Sequence, residues 1–224
     1  MFLLKKEIYS IFLQKSLGFD LVLDGSEMMA ALPNKLLEIS QTKTAPDKNA
    51  NAVLKDFFQD RKWGTKITND EIETALAILK NPAIEVPSST SRFMGSIEKH
   101  AADRGKEFAD ALFEKLRNFK PDTKFSYMPS RYKQLKAISK AIHNLPKGAA
   151  NKHFDDLMVL AKDPIARIYG YNALMRLMDG GSKGADALLF LIRDAKKYHR
   201  KKKALDGQWQ HPYLAGMIGL CWMG

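Results

Sequence analysis

Cys221 is the sole cysteine in 224 residues, which excludes an intrachain disulfide framework and leaves too few thiols for a thiolate metal site. A reducing, cytoplasmic setting is therefore expected, with export by a specialised apparatus left open. No stretch approaches the roughly 18 to 20 uninterrupted apolar residues that a membrane-spanning helix needs. Residues 1–19 start apolar, but Lys5, Lys6, Glu7 and Lys15 divide them and no small-residue cleavage site follows. They read as a first helix, not a secretion signal. Strand signals are scarce too, because β-branched runs with period-two alternation and tight Asn-Gly or Asp-Gly hairpins are nearly absent.

Linear enzyme signatures are missing as well. There is no GxxxxGK[ST] phosphate loop, no GxSxG elbow, no HExxH and no GxGxxG after a strand. His100, His143, His153, His199 and His211 never stand three or four apart, so the helical pair that holds many metals is lacking and neither metal nor cofactor is implied.

What the chain does contain is helical punctuation. Asp24-Gly25-Ser26-Glu27 starts a helix running to about Ile39, and residues 41–51 read as an exposed polar loop. Val53, Leu54, Phe57 and Phe58 mark the next helix, ending near Trp63-Gly64. Thr68 and Glu71 form a capping-box pattern at the head of a helix that stops before Asn81-Pro82. Residues 82–90 are the best linker, so residues 1–87 are expected as an N-terminal subdomain and 88–224 as a basic region, unless the whole is one continuous domain.

Beyond the linker, Phe93, Ile97 and Ala101, then Phe108, Leu112 and Leu116, step by four. Arg104-Gly105 either joins these into one helix or divides a hairpin. Ser130 caps a helix with Tyr132, Leu135, Ile138, Ile142 and Leu145; a further helix spans about 149–162. Asp163-Pro164 is a strong start signal, an N-cap followed by a residue with no donor to leave unpaired, and predicts a helix to Met178. Its partner runs from Ala185 to about His199, and His211-Pro212 opens the last helix. The fold class is therefore all-α, with about nine or ten helices, arranged either as stacked hairpins or as an orthogonal bundle.

Segments DPIARIYGYNALMRLMDGG (163–181) and HPYLAGMIGLCWMG (211–224) share one plan: a polar residue, proline, an apolar helix, then glycine. With the helices between them, residues 130–224 resemble HEAT or armadillo repeats, which implies a short α-solenoid. The last helix is apolar over most of its circumference and is expected to be buried, with Cys221 in the core.

The formal charge of +11 is unevenly spread. Residues 1–110 carry 15 Lys and Arg against 16 Asp and Glu, a net of −1; residues 111–224 carry 21 against 9, a net of +12. The densest run, RDAKKYHRKKK (193–203), supplies Arg193, Lys196, Lys197, Arg200, Lys201, Lys202 and Lys203, with His199 inside it and Trp209 after it. As a helix end and loop it would make a ridge able to meet anionic groups, although such runs also serve simply to solvate a surface. A second run comprises Lys115, Arg117, Lys120, Lys124, Arg131, Lys133, Lys136 and Lys140.

The function expected from these features is a non-enzymatic helical interaction module whose basic C-terminal half binds an acidic partner. An acidic protein surface comes first, since no nucleic-acid recognition motif is present; nucleic acid or an anionic lipid comes second. A bacterial effector or a toxin-neutralising protein fits such a chain. The alternative is a hydrolase-type enzyme whose site folding assembles from dispersed carboxylates and histidines.

Overall fold

The computed structural model describes residues 34–59, 66–119, 129–200 and 210–223, with the backbone alone for 129–131, 195–200 and 210. The described residues are helices and their connections, with no strand among them. The expected first helix (1–19) lies outside them, as does the Trp63-Gly64 boundary.

Residues 34–40 form α1, which turns at Gln41. The connection that follows is shorter than the polar composition of 41–51 suggests, because Asp47 caps the next helix: its Oδ1 accepts from the Ala50 N–H at 2.7 Å. That helix, α2 (Lys48–Gln59), buries Val53, Leu54 and Phe58. The Thr68–Glu71 capping box forms as expected, the Thr68 hydroxyl accepting from the Glu71 N–H and the Glu71 carboxylate from the Thr68 N–H, and starts α3 (Asn69–Lys80).

Arg104-Gly105 divides two helices. α4 (Thr90–His100) and α5 (Gly105–Asn118) are separated by a 3-10 turn, Ala102–Arg104. Phe57, Phe58, Phe93 and Phe108 lie in sequence with ring centroids 5.0 to 6.1 Å apart and join α2, α4 and α5. Burying each of the fully enclosed rings stabilises by about 1.5–3 kcal/mol. The 81–89 connection is non-helical and is tied from both sides. Asn81 Nδ2 donates to the Ser40 and Thr42 carbonyls at 2.9 and 2.8 Å, Ser89 Oγ donates to the Lys55 carbonyl at 3.1 Å, and Gln134 donates to the Val86 carbonyl at 3.2 Å.

α6 (Pro129–His143) packs against α4 and α5. The helix expected over 149–162 begins later: a 3-10 turn, Asn151–His153, precedes α7 (Phe154–Lys162). Asp163 does start the next segment, its Oδ1 accepting from the Ile165 and Ala166 N–H groups at 2.8 Å each. The single helix expected to Met178 is, however, three pieces: α8 (Ala166–Tyr169), α9 (Tyr171–Leu174) and a 3-10 helix, Met175–Gly180. The break falls at Gly170, and beyond it the Ser139 hydroxyl accepts from the Ala173 N–H at 2.8 Å, holding α9 on α6. Gly181, at φ 60, switches the chain into α10 (Gly181–Arg200), four residues earlier than Ala185. α11 (Gln210–Met223) starts beside His211-Pro212 as expected. One continuous set of buried apolar side chains runs from Leu36 to Ala215.

Candidate interaction surface

α10 and α11 form an antiparallel hairpin whose geometry is set by small residues. A Cβ placed on Gly216 would lie 2.7 Å from Ile192 Cγ1 and 2.8 Å from the Leu188 carbonyl oxygen; one on Gly219 would lie 2.8 Å from Leu188 Cδ2. The backbones approach too closely for a side chain at Gly216. Pro212, Ala215, Gly216 and Gly219 are the buried residues of α11; Ile218 and Leu220 are partly buried against the core, and Leu214, Met217, Cys221, Trp222 and Met223 are exposed.

This reverses the expectation of a buried last helix. Leu214 is 44% exposed, Met217 41% and Trp222 58%, and Cys221, expected in the core, is exposed too. Leu214, Met217 and Cys221 stand at i, i+3 and i+7, a single stripe. Leu189 and Phe190 of α10 are exposed apolar residues as well. The spacing of the large residues opposite the small ones was visible in the sequence; which side faced the core was not.

Two ring contacts seat α11 on the rest of the fold. His211 stacks on Tyr171 at 4.6 Å, and Trp222 lies over His143 at 5.9 Å. Burial, and then the charge of Arg176, push the His143 imidazole below its ordinary range. Arg176 is itself buried, near Asp179 at 3.6 Å and donating weakly to the Ile142 carbonyl at 3.4 Å, and burial lowers its pKa. The Asn172 Nδ2 is buried with no partner among the described residues.

The basic residues divide into three groups. Arg193 is exposed on α10, and Lys133, Lys136 and Lys140 form an exposed stripe along α6. No described residue forms an ion pair with any of these four. Lys115 and Arg117 have structural partners instead. The Lys115 ammonium donates to the Asn81 and Ile84 carbonyls, closing the end of α3, and burial pushes its pKa down to about 8. Arg117 pairs with Asp156 at 2.7 Å. The third group lies outside the description: Lys120, Lys124, Lys201, Lys202, Lys203 and Trp209 entirely, and the side chains of Arg131, Lys196, Lys197, His199 and Arg200.

Asp194, the one acid of the 193–203 run, is turned to Arg167, whose side chain is 6% exposed, and the two form an ion pair between α8 and α10. The run is thus left without an internal counter-charge at its described end.

A second polar cluster escaped sequence reading. His153 is buried between two carboxylates, Nε2 at 2.9 Å from Asp110 Oδ1 and Nδ1 at 3.1 Å from Asp156 Oδ2, and stacks on Phe113 at 4.2 Å. Lys152 and Arg117 flank it on the outside. Burial raises the Asp110 pKa, but hydrogen bonds from Lys152 and His153 and their charges outweigh it and leave it lowered. Asp155 and Asp156 sit in the first turn of α7, and Asp156 also holds α5 to α7 through Arg117. Each acid here already has a cationic or imidazole partner, so the cluster serves as a clasp.

A cleft of about 460 Å³ opens between α1 and the 42–53 stretch, lined by Lys35, Glu38 and Asp47 among others. Lys35 and Glu38 bond each other at 3.2 Å and Asp47 caps α2, so its acids do not converge on a common point. Among the described residues no group of three His, Cys, Asp or Glu is placed to hold a metal ion. No protein-family model, curated protein or solved structure matches the chain.

Proposed function

We propose that this protein is a non-enzymatic helical interaction module, working in a reducing compartment such as the cytoplasm, whose basic C-terminal half binds an acidic partner. The observation that carries the reading is the exposed stripe of Lys133, Lys136 and Lys140 together with exposed Arg193, none of them neutralised by a described residue, in a half-chain of net +12. Unpaired surface cations concentrated in one half raise the local concentration of anionic partners and speed their arrival. An acidic protein face, nucleic acid and anionic lipid all satisfy that requirement. In this reading residues 88–224 are the binding region and 1–87 its support, and the stacked hairpins of 130–224 are the part that resembles a HEAT or armadillo array.

The test is retention on immobilised heparin, a generic polyanion. The parent should bind at low salt and elute as salt screens the contacts. Replacing Lys133, Lys136 and Lys140 by glutamine, or Lys201, Lys202 and Lys203 by glutamine, should each bring elution to lower salt. No retention at low salt, or elution unchanged by both triple substitutions, would overturn the reading.

A further inference from the structure

We infer that the folded chain carries His153 as the doubly protonated imidazolium, which makes the α5–α7 clasp a proton-dependent fastening that loosens as pH rises. The inference is independent of any partner and rests on a count of donors. A neutral imidazole has one N–H and one bare nitrogen, and an ionised carboxylate only accepts. Both ring nitrogens of His153 nonetheless face carboxylate oxygens, Nε2 at 2.9 Å from Asp110 Oδ1 and Nδ1 at 3.1 Å from Asp156 Oδ2. With a neutral ring, one of these contacts would set lone pair against lone pair. The side chain is 8% exposed and stacked on Phe113, so water has little room to relieve that opposition. One further proton is needed, and it lies either on the ring or on a carboxyl group.

The two oxygens decide between these. Asp110 Oδ1 also lies 2.6 Å from the Lys152 ammonium, and Asp156 Oδ2 accepts from Arg117 Nη1 at 2.7 Å. Oxygens that already accept from cations are held in the ionised form. Burial acts to raise the Asp110 carboxyl, but the hydrogen bonds from Lys152 and His153 outweigh it and keep it below its ordinary range. The proton therefore belongs to the ring, which donates on both sides.

Facing the ring are Asp110 and Arg117 from α5, Lys152 from the 3-10 turn and Asp156 from α7. The formal charges of these four cancel, but their effects at the ring do not. Both carboxylates touch it, whereas Lys152 and Arg117 bond the carboxylates and not the ring, and are 56% and 50% exposed, where water and salt screen them. Of the remaining charged groups on the two helices, Glu107 pairs with Arg104 and Lys115 bonds the Asn81 and Ile84 carbonyls. Lys106, Glu114, Asp155 and Lys162 are exposed.

A histidine in an unfolded chain loses its proton near ~6.5. Below that pH both states hold the proton and the contribution of the clasp is complete. Above it the folded chain binds one proton more than the unfolded one, so stability falls as pH rises, by up to about tenfold in the unfolding constant per pH unit. Once the ring releases its proton, one carboxylate contact is lost, and what remains is the other contact, the stacking on Phe113 and the Arg117–Asp156 pair.

The experiment is nitrogen NMR of the histidine side chains of the whole chain at about pH 7.5, roughly one unit above the unfolded value. His153→Phe identifies the signals of this ring by their loss, and Asp110→Asn removes one of the two charges that hold the proton. In the parent the two His153 nitrogens should have nearly equal shifts, both in the range of protonated nitrogens. In Asp110→Asn they should separate at lower pH than in the parent. Urea melts give a second readout: the excess stability of the parent over His153→Phe should shrink as pH rises above ~6.5, by up to about tenfold in the unfolding constant per unit.

A bare nitrogen on His153 in the parent at about pH 7.5 would overturn the inference, because a neutral ring cannot donate on both sides. A stability gap that stays constant from about pH 6.5 upward would overturn it as well. Shifts unmoved by Asp110→Asn at every pH would remove the carboxylate as the cause. Where the phenylalanine variant does not fold, sequential assignment identifies the ring and the parent spectrum decides.

Discussion

Lys115 Nζ donates to the Ile84 carbonyl oxygen at 2.6 Å, and through this bond a lysine that reads as part of a basic run becomes a brace between α5 and the end of α3. Its ammonium is partly stripped of water, which is why its pKa falls to about 8. A lysine in the unfolded chain titrates near ~10.4. Between those values the unfolded chain binds more protons than the folded one, so stability rises with pH across that window. The contribution is complete above the unfolded value and is lost as pH falls through about 8. The neutral amine keeps two N–H groups, enough for both carbonyls. Lys115→Met should flatten this rise in a series of urea melts and cost about 1–3 kcal/mol by leaving the Asn81 and Ile84 carbonyls short of a donor. An NMR titration of the lysine side chains should find Lys115 well below its neighbours.

The two halves of the His153 contact separate by substitution. His153→Phe keeps an aromatic ring against Phe113 and loses both carboxylate bonds, whereas His153→Ala loses stacking as well. Losing the bonds should cost about 1–3 kcal/mol, and the alanine variant should fall further, by up to about 1.5 kcal/mol for the ring pair and more for the cavity. Denaturant midpoints measure both. Equal stability of the phenylalanine variant and the parent would mean that the clasp is carried by packing alone.

Gly216 and Gly219 should respond differently to alanine, although intrinsic propensity favours alanine at both by up to about 1 kcal/mol. At Gly216 the added carbon meets a backbone oxygen 2.8 Å away that cannot step aside, so Gly216→Ala should destabilise by about 1–3 kcal/mol through forced separation of α10 and α11. At Gly219 it meets the tip of the Leu188 side chain, which can rotate, so Gly219→Ala should lie near neutrality. Thermal melts of the pair, compared side by side, test the close approach.

Those glycines also explain which parts of the fold could be read in advance. Thr68–Glu71, Asp163 and His211-Pro212 mark helix starts through bonds or restrictions within a few residues, and each start stands where the sequence put it, to within a few residues. The polarity of α11 could not be read this way. Its sequence is apolar on every side, so periodicity offers no inward direction, and what decides it is that glycine and alanine permit a closer approach to α10 than leucine or methionine does. The same limit hid the His153 clasp, whose partner Asp110 is 43 residues away, and the bracing by Lys115 of carbonyls more than 30 residues earlier. The basic half was legible as composition. The division of its cations between braces and open surface depends on contacts made only in the folded chain.

Arg167 and Asp194 show how that division bears on binding. Asp194 holds a nearly buried guanidinium and also subtracts one charge from the 193–203 run. Asp194→Leu alone takes the carboxylate from a buried cation and should cost about 3 kcal/mol or somewhat less where other contacts to Arg167 persist, whereas Arg167→Met with Asp194→Leu removes both charges and should recover most of that loss. The double substitution leaves the net charge of the chain unchanged, while Asp194→Leu raises it by one. Under the acidic-partner reading the single variant, provided it is folded, should elute from heparin at higher salt than the parent, and the double variant should elute with the parent. A double-mutant cycle run on melts and on elution together separates the brace from the charge: coupling in the melts with additive shifts in elution is the expected result, and elution unmoved by Asp194→Leu would show that Asp194 serves the fold alone.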